Sequence, residues 1–331
     1  MVPGYQIEGK VFETPNTAAF RAVVMSSGRR VLVKLPRSGS TLAKAKNQIL
    51  REQEICSRHT FPGRLVFTAT ELPDGTPLAE AELGHCVFLG ELLNRGLLPI
   101  EDALFLALQL ADNLFQLHRQ NIILTRLSPD VLLLDEANKT LYIADLSCAS
   151  QTGAVDEEQD ESCRATGLEP LAYLAPEQSG RFNWPVDARV DIYKAGVIFY
   201  QMLTGKLPVT AQTPLEWFYA VATREIPSPS LANPQVPETV ARIVLRCLAP
   251  DPGLRYQSAY GLKKDLERCL AEWQQHGQIS SFPLASHDTT SVFRVTEEFY
   301  GREEELGFLE AALQRVAAGG TEIVVVSGES G

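Results

Sequence analysis

The sequence is short of basic charge. Its 331 residues hold 30 lysines and arginines against 41 aspartates and glutamates, a formal net charge of −11. A chain whose main task is to grip nucleic acid or an anionic lipid surface needs a basic face to neutralise phosphate, so those classes are set aside. Long apolar runs are also missing. None approaches the ~20 residues that cross a bilayer, and the opening MVPGYQIEGK lacks the basic-then-apolar layout of a secretory leader. The expected setting is cytoplasmic, without membrane insertion. No C-x-x-C pair occurs among Cys56, Cys86, Cys148, Cys163, Cys247 and Cys269, and the five histidines do not cluster. A structural zinc site therefore has no support, and the cysteines are expected as reduced core thiols. Glycine and proline are not in excess (23 and 20), and 45% of the residues are hydrophobic, which excludes a fibrous or disordered chain.

What is present changes character along the chain. As far as residue 82, β-rich runs at Ala22–Met25, Arg30–Leu35 and Leu65–Thr70 alternate with turn signals at Ser26-Ser27-Gly28 and Pro73-Asp74-Gly75. One segment there, Thr41–Arg58, has helical spacing. From Leu83 onward the pattern predicts helices over Pro99–Leu117, Val190–Leu203, Glu238–Leu248 and Ser258–Trp273, with short strands at Val131–Leu134 and Leu141–Ala144. Residues 151–163, QTGAVDEEQDESC, are acidic and aperiodic and are expected as an exposed loop, with Ser162 and Thr166 as candidate phosphorylation sites. Residues 276–297 are polar and predict a linker.

An ordered series of residues carries the chemistry. Lys34 lies inside the strand VLVKL, and Glu52, eighteen residues on, lies on the helix where a carboxylate can pair with it. Tyr142-Ile143-Ala144-Asp145 sets an aspartate at the end of an apolar strand. Then come YLAPEQ at 173–178, D-I-Y-K-A-G-V from Asp191, and D-P-G-L-R-Y from Asp251. In order and spacing this series resembles the eukaryotic-like Ser/Thr protein kinase family over about residues 1–275. The resemblance implies an α+β, two-lobed protein-kinase-like fold, with a small β-rich N-lobe (1–82) and a larger helical C-lobe (83–275). It also implies a use for each matching residue. Lys34 would hold nucleotide phosphates with Glu52 as its helix partner, and Asp145, in D-L-S rather than D-F-G, would bind magnesium. Glu177 of the intact A-P-E would pair with Arg255, and Asp191 would brace the start of its helix. ATP and magnesium are the cofactors implied.

The catalytic positions depart from the family. Counting back from Phe20, the three phosphate-loop glycines become Phe12, Thr14 and Thr17, whose side chains block close backbone approach to phosphate. In the catalytic loop, where the family has H-R-D-L-K-P-x-N, this chain reads Leu124-Thr125-Arg126-Leu127-Ser128-Pro129-Asp130-Val131. The base becomes Arg126, a cation that accepts no proton. The lysine becomes Ser128, and the metal-binding asparagine becomes Val131, which has no ligating atom. Asp130, one residue before that position, is the candidate to rescue it. The G-T pair before A-P-E is replaced by Glu169-Pro170. The leading expectation is a catalytically impaired regulatory module, a pseudokinase, with or without bound ATP. An active Ser/Thr kinase with an unorthodox base and a nucleotide-free scaffold are the alternatives.

Beyond the linker, YGREEEL at 300–306 and a helix precede EIVVVSGESG, which stops at a glycine turn. This end resembles the start of an AAA-type P-loop ATPase over 298–331, cut before the lysine that would grip phosphate. Such an order of modules resembles the front of large bacterial signalling proteins. The expected partners are downstream ATPase or sensor-kinase domains of the same protein, or other signalling proteins.

Overall fold

Alternating side chains over RVLVKLP and the tight turn before it fold the start of the chain into antiparallel hairpins. In the computed structural model the residues described are 2–151, 171–179, 181, 184–211, 213–223, 226–288, 308, 311, 312, 315 and 316. They fall in two units, Met1–Thr290 and Ser291–Gly331. Of the second unit only five residues are described, and all five are helical. Its expected terminal strand and glycine turn lie outside the described residues, as do all but the first residue of the acidic loop, and Ser162 and Thr166 with it.

In the first unit, β1 (Tyr5–Glu13), β2 (Thr17–Val24), β3 (Arg30–Pro36), β4 (Thr68–Glu71) and β5 (Pro77–Glu82) form one antiparallel sheet in the order β1-β2-β3-β5-β4. The strands alternate between two faces. Ala22, Val31, Val33 and Leu78 pack on one face, whereas Phe12, Ala19, Leu32, Ala79 and Ala81 join the main core on the other. Helix α1 (Leu42–Arg58) covers part of the sheet. It starts at Thr41, whose side chain accepts from the Lys44 amide, and it buries Ala45, Gln48, Ile49, Glu52 and Cys56 at helical spacing.

A second small sheet, β6-β8-β9, joins β6 (Cys86–Phe88), β8 (Leu132–Asp135) and β9 (Thr140–Ile143), and β7 (Ile122–Ile123) pairs with β10 (Ser150–Gln151). The helices are α2 (Leu89–Arg95), α3 (Ile100–His118), α4 (Arg189–Thr204), α5 (Pro214–Thr223), α6 (Pro229–Ala232), α7 (Glu238–Cys247) and α8 (Ala259–His276). Helix α4 is buried along nearly its whole length, because α3 and α7 flank it. Gly196 permits the second contact: a Cβ there would stand 2.6 Å from the Cys247 Cβ, so any larger residue would push the helices apart. Gly205 ends α4 in the left-handed region, at φ +68°.

Residues 278–288, in the stretch read from sequence as a linker, run back along α8. Phe282 is buried. The Ser280 amide and hydroxyl donate to Glu272 at 2.7 and 2.6 Å. Asp288 accepts from the amides of Gln257 and Ser258 at 2.6 and 2.8 Å and from the Ser258 hydroxyl at 2.7 Å. No helix among the described residues is long and apolar enough to cross a membrane.

One expectation about cysteine is corrected. Cys56, Cys86, Cys247 and Cys269 are free and buried, but Cys148 is disulfide-bonded. Cysteine spacing in the sequence does not determine disulfide pairing.

Candidate functional site

Strand register builds the site. Phe12 pairs with Ala19, Ala19 with Lys34, Lys34 with Ala79 and Ala79 with Ala69, so these residues form one row across the inner face of the sheet. A bulge between Lys10 and Phe12 shifts the β1 register and re-aims the side chains that follow it. The small Ala19 leaves room for the Phe12 ring to reach across to Lys34. The Lys34 ammonium stands 5.6 Å from the Phe12 ring centre and 4.5 Å from that of Phe67. Lys34 is 1% exposed. A buried ammonium needs counter-charges. Lys34 has two, donating to Glu52 of α1 and to Asp145 Oδ1 at 3.3 Å.

Asp145 receives a second cation. Arg126, nineteen residues earlier, donates from Nη1 to Asp145 Oδ2 at 2.8 Å. The Ser147 amide donates to Oδ1 at 3.2 Å and its hydroxyl to Oδ2 at 3.1 Å. An ionised carboxylate offers about four lone-pair directions, and these four donors fill them. The Arg126 guanidinium is itself desolvated: it lies 5.9 Å from the Phe12 ring centre, and its Nε is buried without a hydrogen-bond partner. Two cations and two carboxylates thus share one interior site with no net charge.

The protonation preferences follow from that arrangement. Burial works against the charge of Asp145, but Lys34, Arg126 and the Ser147 donors outweigh it and hold the carboxyl below its ordinary value. Burial also works against the Lys34 ammonium, and the charges of Glu52 and Asp145 raise it despite that. Glu52 is raised because burial exceeds the opposing pull of Lys34, and the like charge of Asp145 adds to the rise.

The three expected glycine positions are packed rather than open. Phe12 is 5% exposed and meets Phe88 edge-on, with ring centres 6.5 Å apart. Thr14 and Thr17 are fully buried and bond to each other at 2.7 Å, closing the β1–β2 turn. Gln48 ties that turn to α1: its Nε2 donates to Thr14 Oγ1 at 2.6 Å, and its Oε1 accepts from the Asn16 amide at 3.0 Å. Gln48 lies one helical turn from Glu52 and bonds it at 3.3 Å. Sequence reasoning missed Gln48. A polar residue on the buried stripe of α1 is the signal that points to it.

The catalytic-loop positions fall around the same place. Ser128 and Val131 are buried, Ser128 at the head of the Pro129–Val131 turn and Val131 at its end. Asp130 does not join Lys34, Glu52 and Asp145. Its Oδ1 lies 2.6 Å from where a Cβ on Gly90 would stand, on the side of α2, and burial pushes its carboxyl up while Arg126 draws it down. Thr125 holds φ +55°, a left-handed conformation that a β-branched residue adopts only under constraint. The constraints are visible. Asp191 accepts from the amides of Leu124 and Thr125 at 2.9 and 3.0 Å, the Thr125 hydroxyl donates to the Cys148 carbonyl at 2.7 Å, and Gln178 donates to the Thr125 carbonyl at 2.9 Å. His118 also bonds Asp191, at 2.9 Å.

Glu177 and Arg255 form a separate brace. Both Arg255 terminal nitrogens donate to Glu177, at 2.7 and 2.8 Å, and the guanidinium lies 4.8 Å from the Tyr193 ring centre. Arg255 is fully buried and also donates to the carbonyls of Ala249, Pro250 and Arg189.

These residues are a poor fit to a magnesium nucleotide. Asp145 has no oxygen free of protein donors, Val131 supplies no ligand, and Lys34 is buried with the Phe12 ring packed against it. Among the described residues no three His, Cys, Asp or Glu side chains converge as a metal site.

Comparison with known proteins agrees with the protein-kinase resemblance read from the motifs. Residues 13–266 match the protein kinase domain family. The chain is similar to the hybrid signal transduction histidine kinase G of Dictyostelium discoideum, 34% identical over 179 residues that make up 48% of this chain and 5% of that protein. It is 29% identical to the serine/threonine-protein kinase Pkn1 of Myxococcus xanthus over 271 residues, 78% of this chain and 36% of the relative. It is also 29% identical to the DNA damage-responsive serine/threonine-protein kinase RqkA of Deinococcus radiodurans over 298 residues, 82% and 42% respectively. The chain therefore spans only a minor part of each of these relatives.

Proposed function

This chain belongs to the protein kinase domain family, and we propose that it is a pseudokinase, a regulatory module that signals through contacts and transfers no phosphate. The observation that carries this reading is Arg126. It occupies the position of the catalytic base and is committed to Asp145 at 2.8 Å. A guanidinium has no lone pair with which to take the proton of an acceptor hydroxyl. Loss of a general base alone lowers rates by ~10²–10⁴, and here Ser128 and Val131 remove the lysine and the asparagine as well.

The likeness to a hybrid histidine kinase supports placing the module in a larger signalling protein. In that reading residues 1–275 are the kinase-like unit, 276–297 connect it onward, and 298–331 begin a P-loop ATPase of the AAA type. Its partners are then the downstream domains of the same protein, or other signalling proteins. An active Ser/Thr kinase is the second reading, favoured by the Lys34–Glu52 pair. Intact-mass measurement after incubation with ATP and magnesium separates the two. An unchanged mass is expected; added phosphate in the wild type, absent in Asp145→Ala, overturns the proposal.

A further inference from the structure

The phosphate and metal positions of the cleft have occupants drawn from the chain itself. Lys34 is 1% exposed, so its ammonium has no open side for a nucleotide phosphate. Phe12 packs against it, with its ring centre 5.6 Å from Lys34 Nζ, 5.9 Å from Arg126 Cζ and 6.5 Å from the Phe88 ring centre. On its remaining sides Lys34 meets Glu52, Asp145 and Phe67. The Asp145 oxygen that would face a divalent ion instead accepts from Arg126 and from the Ser147 hydroxyl.

We infer that Arg126 stands in for the metal ion and the Phe12 ring for the phosphates, so that the two lobes close around the Lys34–Glu52 pair without any nucleotide.

Three features of the chain serve this arrangement. The bulge after Lys10 changes the β1 register just before Phe12. Ala19 is small enough for the ring to pass over it, and Gln48 anchors the Thr14–Thr17 turn that would otherwise be free to lift. Charge also balances. Arg126 brings one positive charge where a divalent ion would bring two, and one is what the quartet with Lys34, Glu52 and Asp145 needs to be neutral. The cluster therefore needs no added ion, and a buried neutral cluster resists one, since an extra charge there has no counter-ion. The closed arrangement is then the resting state of the module and is independent of nucleotide concentration.

This inference rests on the pseudokinase reading but fails separately from it. Binding of magnesium and ATP without transfer would overturn the inference alone. The test uses the full 331-residue chain, with thermal unfolding followed against increasing ATP, with magnesium and with EDTA. A ligand that binds only the folded state raises Tm with its concentration. The wild type is expected to show no rise in either series, while Phe12→Gly/Arg126→Asn gains one that requires magnesium. A concentration-dependent rise in the wild type overturns the inference. So does a folded double variant that gains no response.

A second measurement stands if that variant does not fold. With an amine-acylating reagent and peptide mass spectrometry, Lys34 of the wild type should stay unmodified while the exposed Lys44 and Lys139 react. Acylation of Lys34 at the rate of those two lysines overturns the inference.

Discussion

Arg126 and Asp145 form a 2.8 Å ion pair inside the protein, and Lys34 bonds the other oxygen of the same carboxylate. This makes Asp145 a structural counter-ion. Asp145→Ala would take from Lys34 one of its two carboxylate partners and from Arg126 the carboxylate it bonds, and breaking a buried pair in this way costs about 3–5 kcal/mol. A marked drop in Tm is expected. An aspartate held free for a metal would be replaced at little structural cost, so a Tm equal to the wild type counts against the assignment.

Much of this site is legible in the sequence, and the missing parts have identifiable causes. Lys34 and Glu52 are readable because each lies in a regular element, and Asp145 because it stands just past the apolar strand β9. The fate of Arg126 is not: that it loses the role of base follows from its chemistry, but its pairing with Asp145 depends on how the loop folds back. Phe12 is readable as a lost glycine, whereas its packing over Lys34 depends on a bulge that leaves no mark in the sequence. Strand β1 escaped notice because most of it is exposed and Gly9 interrupts its alternation. The main helices read clearly, Thr41–Arg58 from its periodic pattern and Val190–Leu203 from the length of an apolar stretch that is buried on nearly every side.

Glu177→Ala should destabilise more than Lys34→Ala. Removing Glu177 strands the fully buried charge of Arg255 with only carbonyl partners, commonly a loss of about 3–5 kcal/mol. Removing Lys34 leaves Asp145 still neutralised by Arg126, and Glu52, already raised by burial, takes up a proton. Chemical denaturation of both variants checks the order, and equal midpoints would contradict it.

Acid should loosen the return segment from α8. Glu272 accepts from the Ser280 amide and hydroxyl and from Arg268, and these bonds lower it from an ordinary 4.5 to about 2. A lowered folded value means the contribution is complete above about 4.5 and is lost as pH falls toward about 2. The Tm gap between wild type and Glu272→Gln is therefore expected at neutral pH and should shrink across that window. A gap constant with pH would show that Glu272 does not act through its charge.

Asp288 should fasten residues 278–288 to the head of α8. Asp288→Ala removes the acceptor for the Gln257 and Ser258 amides, and loss of a comparable helix-start cap costs about 1 kcal/mol. Faster amide exchange at Gln257, Ser258 and residues 278–288 is the expected readout. Unchanged exchange there would mean that other contacts hold the segment.

Transfer of label from γ-labelled ATP, with magnesium, to the chain itself and to a general protein acceptor tests the central claim most directly. Wild type, Lys34→Ala and Asp145→Ala should be indistinguishable from a no-protein control. Transfer by the wild type that both substitutions abolish would contradict the account and make this chain an active kinase.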